Sequence, residues 1–171
     1  MKLIGKFQDD QYPYTGISQI RNIVRAIVLD DNHRLALTKI YNTDKFGLRD
    51  YYELPGGGIK KGETHLQALT REMEEEIGCQ IADIQPIGKV IDFYNLIERE
   101  NHNHFYLAKA KSRVPARLEP DEVERIESVV WVDIDEAIRL YERMQNVLVG
   151  RLVKQRELPI LRKAREMMNS L

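Results

Sequence analysis

Apolar positions in the first third of the chain fall in runs and alternations, not at helical spacing. Ile17 to Leu29 ends in Ile23-Val24-Arg25-Ala26-Ile27-Val28-Leu29, which predicts a buried strand. Asp30-Asp31-Asn32-His33 is a turn signal, and Arg34 to Ile40 alternates as the second strand of a hairpin. Asn42 to Asp50 is polar and predicts a loop, followed by a short strand at Tyr51 to Leu54. The pattern then changes period. Leu66, Leu69, Met73 and Ile77 recur every three or four residues, predicting a helix with one buried stripe. Thr64-His65-Leu66-Gln67 fits a capping box at its start, and Gly78 suits the left-handed residue after its last turn.

Downstream, Ile84 to Leu96 and Phe105 to Ala110 predict strands separated by the polar segment Glu98 to Asn103, and Val129 to Val132 a further strand. Asp133-Ile134-Asp135-Glu136 opens a helix that runs to about Arg143. Residues 147–171 are helical in pattern, with Pro159 expected in the first turn of a final helix faced by Ile160, Leu161, Ala164 and Met167. Strands and helices in this order predict a mixed sheet between helices, in a single domain over residues 1–171.

Composition adds limits. Hydrophobic content of 43% and charged content of 31% are ordinary for a globular protein. A formal net charge of −1 gives no electrostatic case for a long nucleic-acid partner. Cys79 is the only cysteine, which excludes an intrachain disulfide. No signal-peptide or membrane-spanning run is visible, so a cytoplasmic location without membrane association is expected. A homodimer is compatible with the sequence, which fixes no oligomeric state.

The helix carries the chemistry. Glu72, Glu75 and Glu76 share a face at i, i+3 and i+4, while Glu74 points away. Like charges so spaced repel by about 0.2–0.5 kcal/mol a pair. Acid in a last turn opposes the helix dipole at about 0.3–1 kcal/mol per exposed group. A face built against two local rules calls for a cation. Leu54-Pro55-Gly56-Gly57-Gly58, just upstream, is a turn whose backbone groups are free to meet a ligand. Carboxylates with a backbone carbonyl make a hard, all-oxygen site suited to Mg²⁺ or Mn²⁺.

Gly57, Glu63, Arg71, Glu72, Glu75, Glu76 and Gly78 together fit G-x5-E-x7-R-E-U-x-E-E-x-G-U over residues 57–79. In this the chain resembles the Nudix hydrolases (MutT-like proteins), with Cys79 standing where a bulky aliphatic is usual. The resemblance implies an α+β fold, the family's α/β/α sandwich with a mixed β-sheet. It also implies cleavage of a diphosphate linkage in a nucleoside diphosphate derivative, with Mg²⁺ or Mn²⁺ and a small-molecule nucleotide as partners. It makes Glu75 and Glu76 principal metal ligands, Glu72 a further ligand or general base, and the Gly57 carbonyl another ligand. Arg71 and Glu63 then orient the catalytic helix and loop.

The resemblance also implies a further carboxylate from a later loop, and the acidic segment Glu119 to Glu127 offers it, with Glu124 the candidate and Glu122 and Glu127 close behind. Arg25, Lys39 and Arg49 are candidates for substrate phosphate, and Tyr94 for the substrate's variable part. The two polar segments, Asn42 to Asp50 and Glu98 to Asn103, are expected to flank the site and read that part. Two other functions fit less well. A non-catalytic nucleotide-sensing module would be expected to lose glutamates of the 57–79 motif, which are all present here. An isopentenyl diphosphate isomerase needs a cysteine upstream of the 57–79 motif, where this chain has none.

Overall fold

The computed structural model describes residues 1–144 and 146–169. Eight strands form one sheet: β1 (Leu3–Gln8), β2 (Gln19–Leu29), β3 (Leu35–Asp44), β4 (Gly47–Glu53), β5 (Gly56–Gly58), β6 (Cys79–Tyr94), β7 (Arg99–Arg113) and β8 (Ile126–Val132). The helices are α1 (His65–Ile77), α2 (Pro120–Arg125), α3 (Ile134–Arg143) and α4 (Leu148–Met168). The main strand order is β1-β6-β7-β2-β3-β4, with β5 on β2 and β8 on β3. β1 runs parallel to β6 and β2 parallel to β7, whereas the other pairs are antiparallel, so the sheet is mixed.

β2 alternates between two cores. Val24, Ala26 and Val28 face α1, where Ala68, Leu69, Met73 and Ile77 cover them. Ile27 and Leu29 face the other way, toward Ile138 and Tyr141 of α3 and Val153, Ile160 and Leu161 of α4. A strand covered on both faces has to read as the continuous apolar run seen in the sequence. The fold is α+β, a mixed sheet sandwiched between helices.

One topological detail makes the cleft. β2 and β3 are hydrogen-bonded only at Leu29↔Leu35. Beyond that pair they part, and β5 takes the freed edge of β2 through Ile23↔Gly58, Val24↔Gly57 and Arg25↔Gly56.

Several expectations are corrected. Asn42 to Asp50 is no open loop: β3 and β4 stay paired to Asp44↔Gly47, and the Asp44 carboxylate caps the turn by accepting from the Phe46 N–H at 2.9 Å. Glu98 to Asn103 is mostly strand. The chain breaks only at a short 3₁₀ turn, Asn95–Ile97, and Glu98 takes a left-handed φ of 49° before β7 starts. Polarity misled there because Asn101 and Asn103 are buried in β7 and bonded to Asp92 and the Val90 carbonyl. Leu66 is 52% exposed and outside the helix stripe, which Ala68 joins instead. Pro159 lies inside α4 rather than opening a new helix. The missing proline N–H costs one helical hydrogen bond. The buried face of Val149, Leu152, Val153, Ile160, Leu161 and Ala164 outweighs it.

Candidate active site

α1 begins and ends where local chemistry dictates. The Thr64 hydroxyl accepts from the Gln67 N–H, and the Gln67 side chain accepts from the Thr64 N–H at 2.9 Å. Gly78 ends the helix at φ 60°. Between them, Glu72 and Glu76 point inward, each 4% exposed, on the same side as the apolar residues that hold the helix to the sheet.

Glu122 of α2 meets them. Carboxylate oxygens of Glu72, Glu76 and Glu122 all lie within 4.8 Å of one another, and all three side chains are buried. Burial pushes the Glu76 carboxyl up to about 8 and raises those of Glu72 and Glu122, although Arg71 draws Glu72 the other way. Glu76 accepts the Gly56 N–H at 2.8 Å. Gly57 leaves room for Glu72: a Cβ there would lie 2.5 Å from Glu72 Oε1. A three-carboxylate, oxygen-only set at a side-chain-free strand fits Mg²⁺ or Mn²⁺, since a divalent cation offsets the repulsion that burial sharpens.

Arg71 ties helix to turn. It makes a two-point bond to Glu63, Nε to Oε1 at 2.6 Å and Nη2 to Oε2 at 2.8 Å. It also donates to Glu72 at 2.6 Å, to Glu75 at 3.0 Å and to the Gly58 carbonyl at 3.1 Å. The Arg71 bond holds the Glu63 carboxyl down at about 2, and Glu63 also accepts the Lys60 N–H at 2.8 Å.

Glu72 and Glu122 open into a cleft of about 530 Å³. Its floor includes Arg25, Glu53, Tyr94 and Arg156, the last reaching up from α4. Arg156 is 1% exposed and binds Glu53 at 2.7 Å, Glu157 at 2.6 Å and Asp92 at 3.1 Å. Burial works against the Glu53 charge, but Arg25, Arg156 and Arg125 outweigh it and hold the carboxyl down at about 2. Glu157 accepts the Leu54 N–H at 2.7 Å while Arg25 donates to the Leu54 carbonyl at 2.8 Å. The α4 ion pairs thus anchor the strand end that feeds the glycine turn.

The other sequence candidates fall out unevenly. Gly57, Glu72 and Glu76 come together, but Glu75 turns to Arg71 and stays outside the three-carboxylate cluster. Glu124 is exposed and also outside it: α2 directs Glu122 inward, and two residues further along a helix is a different face. Arg25 lines the cleft, yet its charge is engaged by Glu53 at 2.7 Å and faces Glu157 at 3.7 Å. Lys39 pairs with Asp50 and does not line the cleft. Arg49 lines it, bonded to Asp44 and to the Tyr51 hydroxyl at 3.0 Å. Tyr94 lines it as well, 7% exposed and edge-on to Phe46. Cys79 is fully buried among the α1 core residues, and burial raises its thiol pKa.

Sequence reasoning missed Arg21, Arg125 and Arg156, which line the cleft, whereas Arg99 and Asn101 line it from the Glu98 to Asn103 segment that was expected to flank the site. Arg156 left one signal, a charge on the helical stripe between Val153 and Ile160.

A sequence profile for the NUDIX domain matches residues 19–149. The RNA pyrophosphohydrolase of Francisella tularensis is 44% identical over 46 residues, which is 27% of this chain and 30% of that protein. The RNA pyrophosphohydrolase of Saccharophagus degradans is 38% identical over 65 residues, 38% of this chain and 35% of that one. With 30% and 35% of their lengths matched, the chain spans about a third of these curated relatives. In three dimensions it is similar to a NUDIX hydrolase from Nitrosomonas europaea, with TM-score 0.65, 19% identity and coverage of 86% of this chain and 90% of that one. A MutT NUDIX hydrolase from Burkholderia pseudomallei gives TM-score 0.58, 24% identity and coverage of 82% and 99%. At such identities the likeness is one of fold.

Proposed function

The chain belongs to the NUDIX domain family, and from that premise we propose that it is a divalent-metal-dependent pyrophosphohydrolase that cleaves a diphosphate linkage in a nucleoside diphosphate derivative. One observation carries the reading: three buried carboxylates, from Glu72, Glu76 and Glu122, converge beside a strand of bare glycines. Glu72, Glu76 and Glu122 would hold Mg²⁺ or Mn²⁺, with the Gly57 carbonyl and Glu75 as further donors. When bound, the metal supplies neutralisation of phosphate oxygens and activation of a water.

The chain's own residues account for the rest. Arg71 and Glu63 fix the distance between α1 and the glycine turn, because one guanidinium bonds both the helix carboxylates and the Gly58 carbonyl. Glu76 holds Gly56 in place through its amide. From below, Glu157 and Arg25 grip both polar groups of Leu54. Geometry set in advance is what a displacement at phosphorus requires, since misplacement by about 1 Å costs on the order of 10²-fold in rate.

Cys79 gives no support to an isomerase, being sealed in the α1 core outside the cleft residues. The test is a screen of nucleoside diphosphate derivatives and nucleoside triphosphates with Mg²⁺ or Mn²⁺, products being identified by mass. The name of the curated relatives adds RNA with a 5′-triphosphate to that panel. Turnover that requires metal and disappears in Glu76→Gln is the expected result. Metal-independent turnover, or none on the whole panel, would overturn the proposal.

A further inference from the structure

The cleft has a second wall, made of arginines and asparagines. Arg21 of β2 and Asn101 of β7 are register partners, and Arg99 lies two residues before Asn101 on the same face. With Asn42 and Arg49 from the β3–β4 hairpin, all line the cleft. Arg49 is committed to Asp44. Among the described residues, Arg21 and Arg99 are in no ion pair: Arg99 lies over the Tyr94 ring, 5.5 Å from its centroid, and Asp92 and Glu119 act on the two arginines only at longer range.

Unused polar atoms gather at this wall. Arg99 Nε, Asn101 Oδ1 and Asn42 Oδ1 are buried and make no hydrogen bond. Asn101 is 1% exposed, and donating its amide to Asp92 at 2.8 Å fixes which way its free oxygen faces. Buried polar atoms are almost always satisfied, so several on one cleft wall call for a ligand with complementary groups. Burial, and then Arg21 and Arg49, hold the Arg99 guanidinium below its usual pKa, a repulsion that an anion would relieve.

Position links this wall to the carboxylates. Arg21 sits against Gly58, where a Cβ would lie 2.7 Å from its Nε, just as Glu72 sits against Gly57. The two glycines are consecutive, with Cα atoms about 3.8 Å apart. Arg21 and Glu72 therefore flank one bare strand from its two faces, with no side chain between them.

We infer that Arg21 and Arg99 form an anion subsite for the substrate segment beyond the hydrolysed linkage, taking its phosphate oxygens while Asn101 Oδ1 accepts from a hydroxyl on it. The substrate class is then a tri- or longer phosphate, or a diphosphate whose second substituent carries its own phosphate, rather than one ending in a neutral sugar. This rests on the reading of the carboxylate end as a phosphoanhydride hydrolase.

Calorimetric titration of inorganic tripolyphosphate into the metal-free protein, held in chelator, tests the subsite without turnover. Saturable binding is expected, weakened about tenfold or more by Arg21→Gln and by Arg99→Gln, as loss of a charge-assisted contact implies. Arg99→Lys, which keeps the charge, should retain most of the binding and guards against a folding defect in Arg99→Gln. Failure of the wild type to bind, or equal binding by wild type and both glutamine variants, would overturn the subsite. Kinetics separate the two readings. Metal-dependent hydrolysis with arginine variants that bind and turn over as wild type does would remove the subsite and leave the hydrolase. Arginine-dependent binding without hydrolysis of any nucleotide would do the reverse.

Discussion

At the scale of single residues, the site is assembled from side chains in locally unfavourable positions. Glu76 is buried, and burial pushes its carboxyl up to about 8. Replacing it by Gln keeps the shape and removes the charge. The metal-free stability of Glu76→Gln should therefore equal or exceed that of wild type, while Mn²⁺ should raise the melting temperature of wild type alone. Parallel thermal melts with and without metal check this, and an equal metal-induced rise in both proteins would count against Glu76 as a ligand. Gly57→Ala places a methyl 2.5 Å from Glu72 Oε1. Glu72 has to move, so turnover should fall by on the order of 10²-fold with the melting temperature little changed. Cys79→Val should leave kcat nearly unchanged, because the thiol packs with Leu69 and Met73 away from the cleft.

What the sequence revealed at this scale depended on how local the cause was. Thr64, Gln67 and Gly78 act on their own helix, so the ends of α1 were legible. Glu122 and Glu124 differ by two positions in an acidic run, and only the docking of α2 decides which turns inward. Arg21 and Arg99 meet through the parallel register of β2 and β7, which no local pattern encodes.

At the scale of elements, α4 does more than close the core. Its Arg156 is the shared partner of Glu53, Asp92 and Glu157, all buried. Arg156→Ala leaves buried carboxylates unpaired and should cost about 3–5 kcal/mol in chemical denaturation. Loss of less than 1 kcal/mol would show that the network is solvated. Pro159 explains why α4 was read as two pieces: the local rule says stop, and packing against Ile27 and Leu29 overrides it. β1 was missed for the opposite reason. Leu3–Gln8 is short, and its partner Lys89–Phe93 is far along the chain.

At the scale of the whole molecule, the β2–β3 split gives one cleft with a carboxylate end and an arginine wall, in a chain whose formal net charge is −1. Among the described residues, no helix is long and apolar enough to cross a membrane. Stability should also respond to pH through a group away from this cleft. Burial, with His65, Lys89 and His102 nearby, holds His104 down at about 4 against an ordinary 6.5. The folded state thus keeps His104 neutral while the unfolded chain protonates it. That stability is present above pH 6.5 and is lost as pH falls toward 4. Urea midpoints at pH 7 and pH 5 should drop more for wild type than for His104→Phe, and equal drops would rule His104 out as the cause.

The central claim is a metal site made by Glu72, Glu76 and Glu122 at the glycine strand. Calorimetric titration of Mn²⁺ into wild type, Glu122→Gln and Glu124→Gln tests it most directly. The account predicts saturable binding by wild type, weakening of roughly tenfold or more in Glu122→Gln, in line with loss of a charged ligand, and unchanged binding in Glu124→Gln. No saturable binding by wild type, or weakening in Glu124→Gln with Glu122→Gln unaffected, would contradict it.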